Sequence, residues 1–217
     1  MTTFVLVHGS CHGGWCWKKV TPLLSNVSHE VHTPTLTGLG ERSHLVSRDI
    51  GLDTHILDII QVLEYENLNE VMLVGHSYGG LVIGGVAEKV PGRIRRLVYL
   101  DAYIPQDNKS AFDIIPGLET IYKERALKEQ GREWLVASYT PEEFGVTNPD
   151  DIKWMNPRLS PMPWHIHDQT LTTWAAFTAR VNKASNGHHV AHLIASHFRT
   201  NSCDDTGDLV SWNHWEC

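Results

Sequence analysis

The segment 71–82, VMLVGHSYGGLV, limits the possible folds more than any other stretch of the chain. Residues 71–74 form a compact apolar run, as expected for a strand buried on both faces. They lead directly into Gly75-His76-Ser77-Tyr78-Gly79, and a helical pattern follows over about 78–90 until Pro91-Gly92 stops it. A strand that reverses at once into a helix leaves no room for side chains two positions either side of the turn residue, so glycine is needed there. The turn residue is lifted above the sheet edge, beside the free N–H groups of the helix start. As a bare motif, G-x-S-x-G also fits a simple tight turn. The strand before it and the helix after it favour Ser77 as a nucleophile.

The rest of the first half agrees. Residues 4–7 read as a second buried strand, 17–24 as a helix, 29–34 as a weak strand and 94–100 as another strand. Ile56, Ile59, Ile60 and Leu63 recur at i, i+3, i+4 and i+7, one apolar helix face, with Asp53 placed to cap its start. Strands alternating with helices predict an α/β fold, a mostly parallel sheet flanked by helices. Ligands of such sheets bind at the carboxyl ends of the strands, where Ser77 falls.

The pattern changes over 103–171. Helical pieces are predicted near 119–130 and 131–138, five of the ten prolines fall between Pro141 and Pro163, and Trp134, Trp154, Met155, Met162 and Trp164 supply large apolar groups. This segment reads as an insertion within a single domain spanning 1–217. It reads as ordinary packing of aromatics, as an apolar lid over a site, or as both at once.

A nucleophilic serine needs donors for the oxyanion. The backbone N–H of Tyr78, at the helix start, is one. The loop HGSCHGG after the first strand brings a second, the N–H of Ser10. His8 and His12 read as residues that orient this loop, and His76 as packing beside the nucleophile.

FVLVHGSCHGGWCW, PTLTGLGERSH, LVGHSYGGLV and RLVYLDAYIPQD resemble the α/β-hydrolase superfamily, in its branch of plant methyl esterases, hydroxynitrile lyases and small bacterial esterases. LSPMPWHIHDQTL resembles the end of that branch's cap. Over the first hundred residues the chain is also similar to the bacterial hydrolase of carbendazim, a methyl carbamate. The resemblance implies a parallel-sheet core with a helical cap at about 103–171. It also implies a Ser-Asp-His triad that needs no metal or other cofactor, with Ser77 as nucleophile and Ser10 and Tyr78 as oxyanion donors.

The branch then continues with a strand, an acid-bearing loop, a helix, a strand, a histidine loop and a closing helix. After about Leu171 this chain departs from that order, so its C-terminal part is expected to be atypical or incomplete. Residues 187–217 hold five of the fourteen histidines: His188, His189, His192, His197 and His214. His214 after Asp204, Asp205 or Asp208 follows the chain order of a triad, and Asp101 is an alternative acid. His188 and His192, at i and i+4 with His197 beyond, imitate a metal site on a helix, but no H-E-x-x-H accompanies them.

Charge and composition set the remaining bounds. The net charge is −7, which argues against nucleic acid or an anionic membrane as partner. The apolar run near the N-terminus is too short for a membrane span and lacks the flanks of a secretory signal, which predicts a cytoplasmic protein. Cys11, Cys16, Cys203 and Cys217 show no zinc spacing and are expected to be free thiols, the first two packing near the site. The expected activity is serine-esterase hydrolysis of a small apolar or aromatic carboxylic ester, with amides and carbamates open to the same chemistry. One alternative is a hydroxynitrile lyase on the same scaffold, which in this branch uses a first-loop threonine and a lysine beside the histidine. Here Ser10 and Trp215 stand at those places. The other is a hydrolase-fold binding protein without catalysis. Oligomeric state, a homodimer included, is open.

Overall fold

A computed structural model describes residues 1–172, 179–183 and 191–195. Strand β1 is Thr3–Val7. A 3₁₀ turn, Gly14–Lys19, and a short helix α1, Thr21–Ser25, follow where one helix over 17–24 was expected. Pro22 explains the break: it has no N–H to continue a helix, but it fits the first turn of a new one. Strand β2 is Glu30–His32 and helix α2 is Leu52–Tyr65.

The apolar stripe of α2 is buried as predicted, with Leu52 and His55 added to it. Asp53 is not its cap. Gly51 holds that position, and Asp53 sits in the first turn. The Asp53 N–H donates to Gln169 Oε1 at 3.2 Å, so a residue more than a hundred positions away satisfies that helix start. Strand β3, Val71–Ser77, passes through Tyr78 into helix α3, Gly79–Lys89, and strand β4 is Ile94–Ala102.

The next segment carries α4 (Ala111–Ile114), α5 (Leu118–Arg125), β5 (Leu135–Val136), α6 (Pro149–Met155), β6 (Met162–Pro163) and α7 (His165–Asp168). The helix expected over 119–130 ends at Arg125, and 131–138 is not helical. Leu135 and Val136 are both buried and pair antiparallel with Pro163 and Met162. The Leu127 N–H donates to Leu135 O at 2.8 Å. Pairing with a distant partner overrides the local helical preference.

Among the described residues, strands β7 (Ala179–Lys183) and β8 (Ala191–Ala195) join a six-stranded sheet in the order β2-β1-β3-β4-β8-β7. The first four strands are parallel. β8 runs antiparallel to β4 and to β7. The sequence therefore predicted the parallel half, while the last two strands form an antiparallel pair.

Alternation along the strands separates two cores. Val5, Val7, Leu73, Leu97 and Tyr99 join the apolar faces of α2 and α3. Leu6 and Val74 pack with Trp17, flanked by Phe4, Val31, Val98 and Leu100. The loop after β2 is pinned to α2 because Asp58 accepts hydrogen bonds from the N–H and hydroxyl of Thr37, both at 2.7 Å. Among the described residues, no helix is long and apolar enough to cross a membrane.

Candidate active site

Ser77 ends β3 with φ +52°, a left-handed conformation that costs a non-glycine residue about 1–3 kcal/mol unless its surroundings impose it. The surroundings do impose it. Its carbonyl accepts the Tyr103 N–H at 2.9 Å, and the flanking glycines make contacts that no Cβ would allow. A Cβ on Gly75 would stand 2.5 Å from Gly79 O. A Cβ on Gly79 would stand 2.8 Å from Val7 O and 2.9 Å from His8 O, so the helix start is pressed against the end of β1.

The first loop lies against the serine. A Cβ on Gly9 would be 3.0 Å from Ser77 Cβ. Ser10 and Ser77 line one cavity of about 260 Å³. Tyr78 is the N-cap of α3 and its side chain makes no capping hydrogen bond there, so it leaves the helix-start N–H groups uncapped. The fold thus brings Ser10, Ser77 and Tyr78 together.

His8 is fully buried, and both its ring nitrogens are engaged. Nδ1–H donates to Gly9 O at 2.8 Å, and Nε2 accepts the Leu36 N–H at 3.0 Å. Burial lowers its pKa to about 3. A neutral ring with no free nitrogen holds the loop and moves no proton. His12 Nδ1–H donates to Ser10 O at 2.7 Å, which fixes the peptide next to the Ser10 amide. Burial also lowers the pKa of His12 and of His76.

The lining of the cavity is rich in phenols. Tyr103, Tyr122 and Tyr139 line it together with Leu118, Phe144 and Glu143. Burial pushes the Tyr103 pKa up to about 12, with a hydrogen bond to Ser77 opposing the rise. Glu143 is paired with Arg125 at 2.9 Å, and that guanidinium lies 3.9 Å from the centroid of Tyr139. None of Trp134, Trp154, Met155, Met162 and Trp164 lines this cavity. Met162 is core, and Trp154 packs edge-on against Trp15. The described lining of the cavity is therefore more polar than the tryptophan and methionine content suggested. A separate cleft of about 810 Å³ is lined by Trp15, Lys18, Glu41 and Arg158 among others, and among the described residues it shares no lining residue with the Ser77 cavity.

Asp101 is exposed at the carboxyl end of β4, with φ +45°, where the register shifts opposite Ser77. Its charge opposes the lowering of the His76 pKa. His188, His189, His197, His214, Asp204, Asp205 and Asp208 lie outside the described residues, as do Cys203 and Cys217. His192 falls on strand β8 rather than on a helix. Among the described residues no three His, Cys, Asp or Glu side chains are grouped to hold a metal. Cys11 and Cys16 are free thiols, and burial pushes their pKa values up to about 11 and about 12.

Sequence reasoning did not single out His167. It is fully buried, and its Nε2 lies 3.2 Å from both Ser10 Oγ and Tyr122 OH. The signal available was the pair of histidines in WHIHD, within the stretch that resembles the end of the cap.

Comparison with known proteins identifies the family of the fold. A model of the alpha/beta hydrolase family matches residues 4–212. A carbendazim hydrolyzing esterase from Nocardioides is 49% identical over 116 residues, covering 54% of this chain and 48% of that one. Salicylic acid-binding protein 2 of Nicotiana tabacum is 34% identical over 139 residues, covering 64% and 51%. The structure of an extracellular alpha/beta-hydrolase from a Paenibacillus species superposes with a TM-score of 0.70 at 25% identity, covering 80% of this chain and 72% of that one. The chain spans about half the length of these two curated relatives.

Proposed function

The chain belongs to the alpha/beta hydrolase family, and from that premise we propose that it is a serine hydrolase that cleaves a small ester through an acyl-enzyme on Ser77. The observation that carries this reading is the left-handed Ser77, held at the β3–α3 junction and facing a cavity it shares with Ser10. In the proposed reaction Ser77 Oγ attacks the substrate carbonyl, and the carbonyl oxygen becomes an oxyanion that accepts from the N–H groups of Ser10 and Tyr78. A histidine takes the serine proton and returns it to the leaving alkoxide. Water then repeats the sequence on the acyl-enzyme. The base is sought among the histidines of 188–214, with His214 and one of Asp204, Asp205 and Asp208 in chain order, or Asp101 as the acid.

The cavity of about 260 Å³ lies at the small end of ligand sites, which run about 300–1,000 Å³. It fits a small acyl or aryl group. Phe144 and Leu118 offer apolar contact, and the phenols offer hydrogen bonds, which suits a flat aromatic ester or carbamate. The relatives support that class, since one is a carbendazim hydrolyzing esterase and another a methylesterase of Arabidopsis thaliana.

The lyase alternative has less support, because the Ser10 hydroxyl that would stand for the lyase threonine is already engaged with His167. The test is turnover of a nitrophenyl ester and of an aromatic methyl carbamate by the wild type and Ser77→Ala. Ser77→Ala should lose on the order of 10⁶ in turnover. Near-wild-type hydrolysis by that variant would sink the mechanism. Cyanide release from mandelonitrile would point to the lyase instead.

A further inference from the structure

We propose that His167 is a positioning residue that braces both oxyanion donors, Ser10 and Tyr78, from the segment inserted after β4; this rests on the reading of Ser77 as nucleophile. His167 sits in the one-turn helix α7, with its N–H donated to Trp164 O at 3.0 Å. Its Nε2 reaches Ser10 Oγ and Tyr122 OH, both at 3.2 Å. Its ring also packs against the Tyr78 ring, with centroids 4.9 Å apart. One imidazole therefore touches both residues proposed as oxyanion donors.

The other side of Tyr78 is tied down as well. His55 Nε2–H donates to Thr37 O at 2.9 Å, which leaves Nδ1 to accept the Tyr78 hydroxyl at 3.0 Å. The phenol is thus anchored at its hydroxyl by α2 and on its ring by α7.

Two observations separate this role from general-base catalysis and from simple filling. Burial holds the His167 ring neutral, with its pKa lowered to about 3. Among the described residues its Nδ1 is buried without a partner. A buried N–H left unpaired is rarer and costlier than an unpaired lone pair, so the proton belongs on Nε2, directed at the Ser10 and Tyr122 oxygens. A glutamine can place an N–H donor near that point, whereas a leucine fills volume without one.

The test compares His167→Gln and His167→Leu with the wild type. Removing one oxyanion donor outright costs ~10²–10³ in kcat. Loosening the brace in His167→Leu should cost part of that, about 10–10² in kcat, with KM changed less than about threefold. His167→Gln should recover most of the loss with the pH profile of kcat/KM unchanged. Ser10→Ala should lose a similar amount, and the double variant should lose no more than either single one. Wild-type kcat in a folded His167→Leu would overturn the inference, as would a Gln variant as impaired as Leu.

The amide resonances of Ser10 and Tyr78 in ¹H–¹⁵N spectra give a readout that does not depend on turnover. They should shift in His167→Leu and return toward wild type in His167→Gln; unchanged resonances in His167→Leu would overturn the brace even in an inactive protein. If His167→Leu does not fold, Ser10→Ala alone decides: wild-type kcat and an unmoved Tyr122–His167 environment would refute the proposal. A wild type that neither turns over nor labels at Ser77 would instead refute the esterase reading.

Discussion

Acidification should destabilise this protein well above the usual carboxylate range. His8, His55 and His167 are fully buried, and burial lowers their pKa values to about 3, about 4 and about 3 from an ordinary 6.5. The folded state therefore keeps these rings neutral while the unfolded chain protonates them below pH 6.5. Their stabilising effect is complete above that value and is lost as pH falls toward the folded pKa values. Between pH 7.5 and pH 5.0 each ring costs about 2 kcal/mol, from about 1.4 kcal/mol per pH unit over the final 1.5 units. Three rings give about 6 kcal/mol, comparable with the 5–15 kcal/mol that holds a typical domain folded. His12 and His76 act in the same direction. Glu30, Asp113 and Glu143, whose pKa values are lowered by hydrogen bonds, contribute only at more acid pH. Urea unfolding followed by tryptophan fluorescence at the two pH values measures the difference. With a urea slope of about 2–3 kcal/mol/M the midpoint should fall by about 2–3 M. His8→Gln should remove about a third of that pH dependence. A midpoint that is unchanged or higher at pH 5.0 would refute the reasoning.

Two further outcomes follow from the packing. Gly79→Ala places a methyl group against Val7 O and His8 O; it should cost at least about 1–3 kcal/mol in urea unfolding, and a neutral substitution would mean the helix start is not pressed on β1. Cys11, buried with its thiol pKa raised to about 11, should resist iodoacetamide at pH 8 in the native protein and react in urea; stoichiometric native alkylation, mapped by peptide mass, would contradict its burial.

The parallel half of the sheet and the Ser77 turn were legible because their signals are local. Val71 to Gly79 carries a strand, a turn and a helix start in nine residues, and each glycine has a steric reason that can be read without partners. The helix expected over 17–24 is split because Pro22 permits a helix to begin but not to pass through it. The 103–171 segment was the least legible. Leu135 and Val136 became a strand only because Met162 and Pro163 came alongside. His167 gave no periodic signal, since its partners Ser10, Tyr78 and Tyr122 are scattered over the chain and meet only in the fold. Trp154 and Met162 suggested a lid by composition, yet Tyr103, Tyr122 and Tyr139 form the wall.

Fluorophosphonate labelling of the native protein, followed by peptide mass mapping, bears most directly on the central claim. A hydroxyl activated by a base and flanked by oxyanion donors should carry the phosphonate on the peptide containing Ser77, and Ser77→Ala should remain unlabelled. A folded protein that takes no label, or takes it on another residue, would contradict the account.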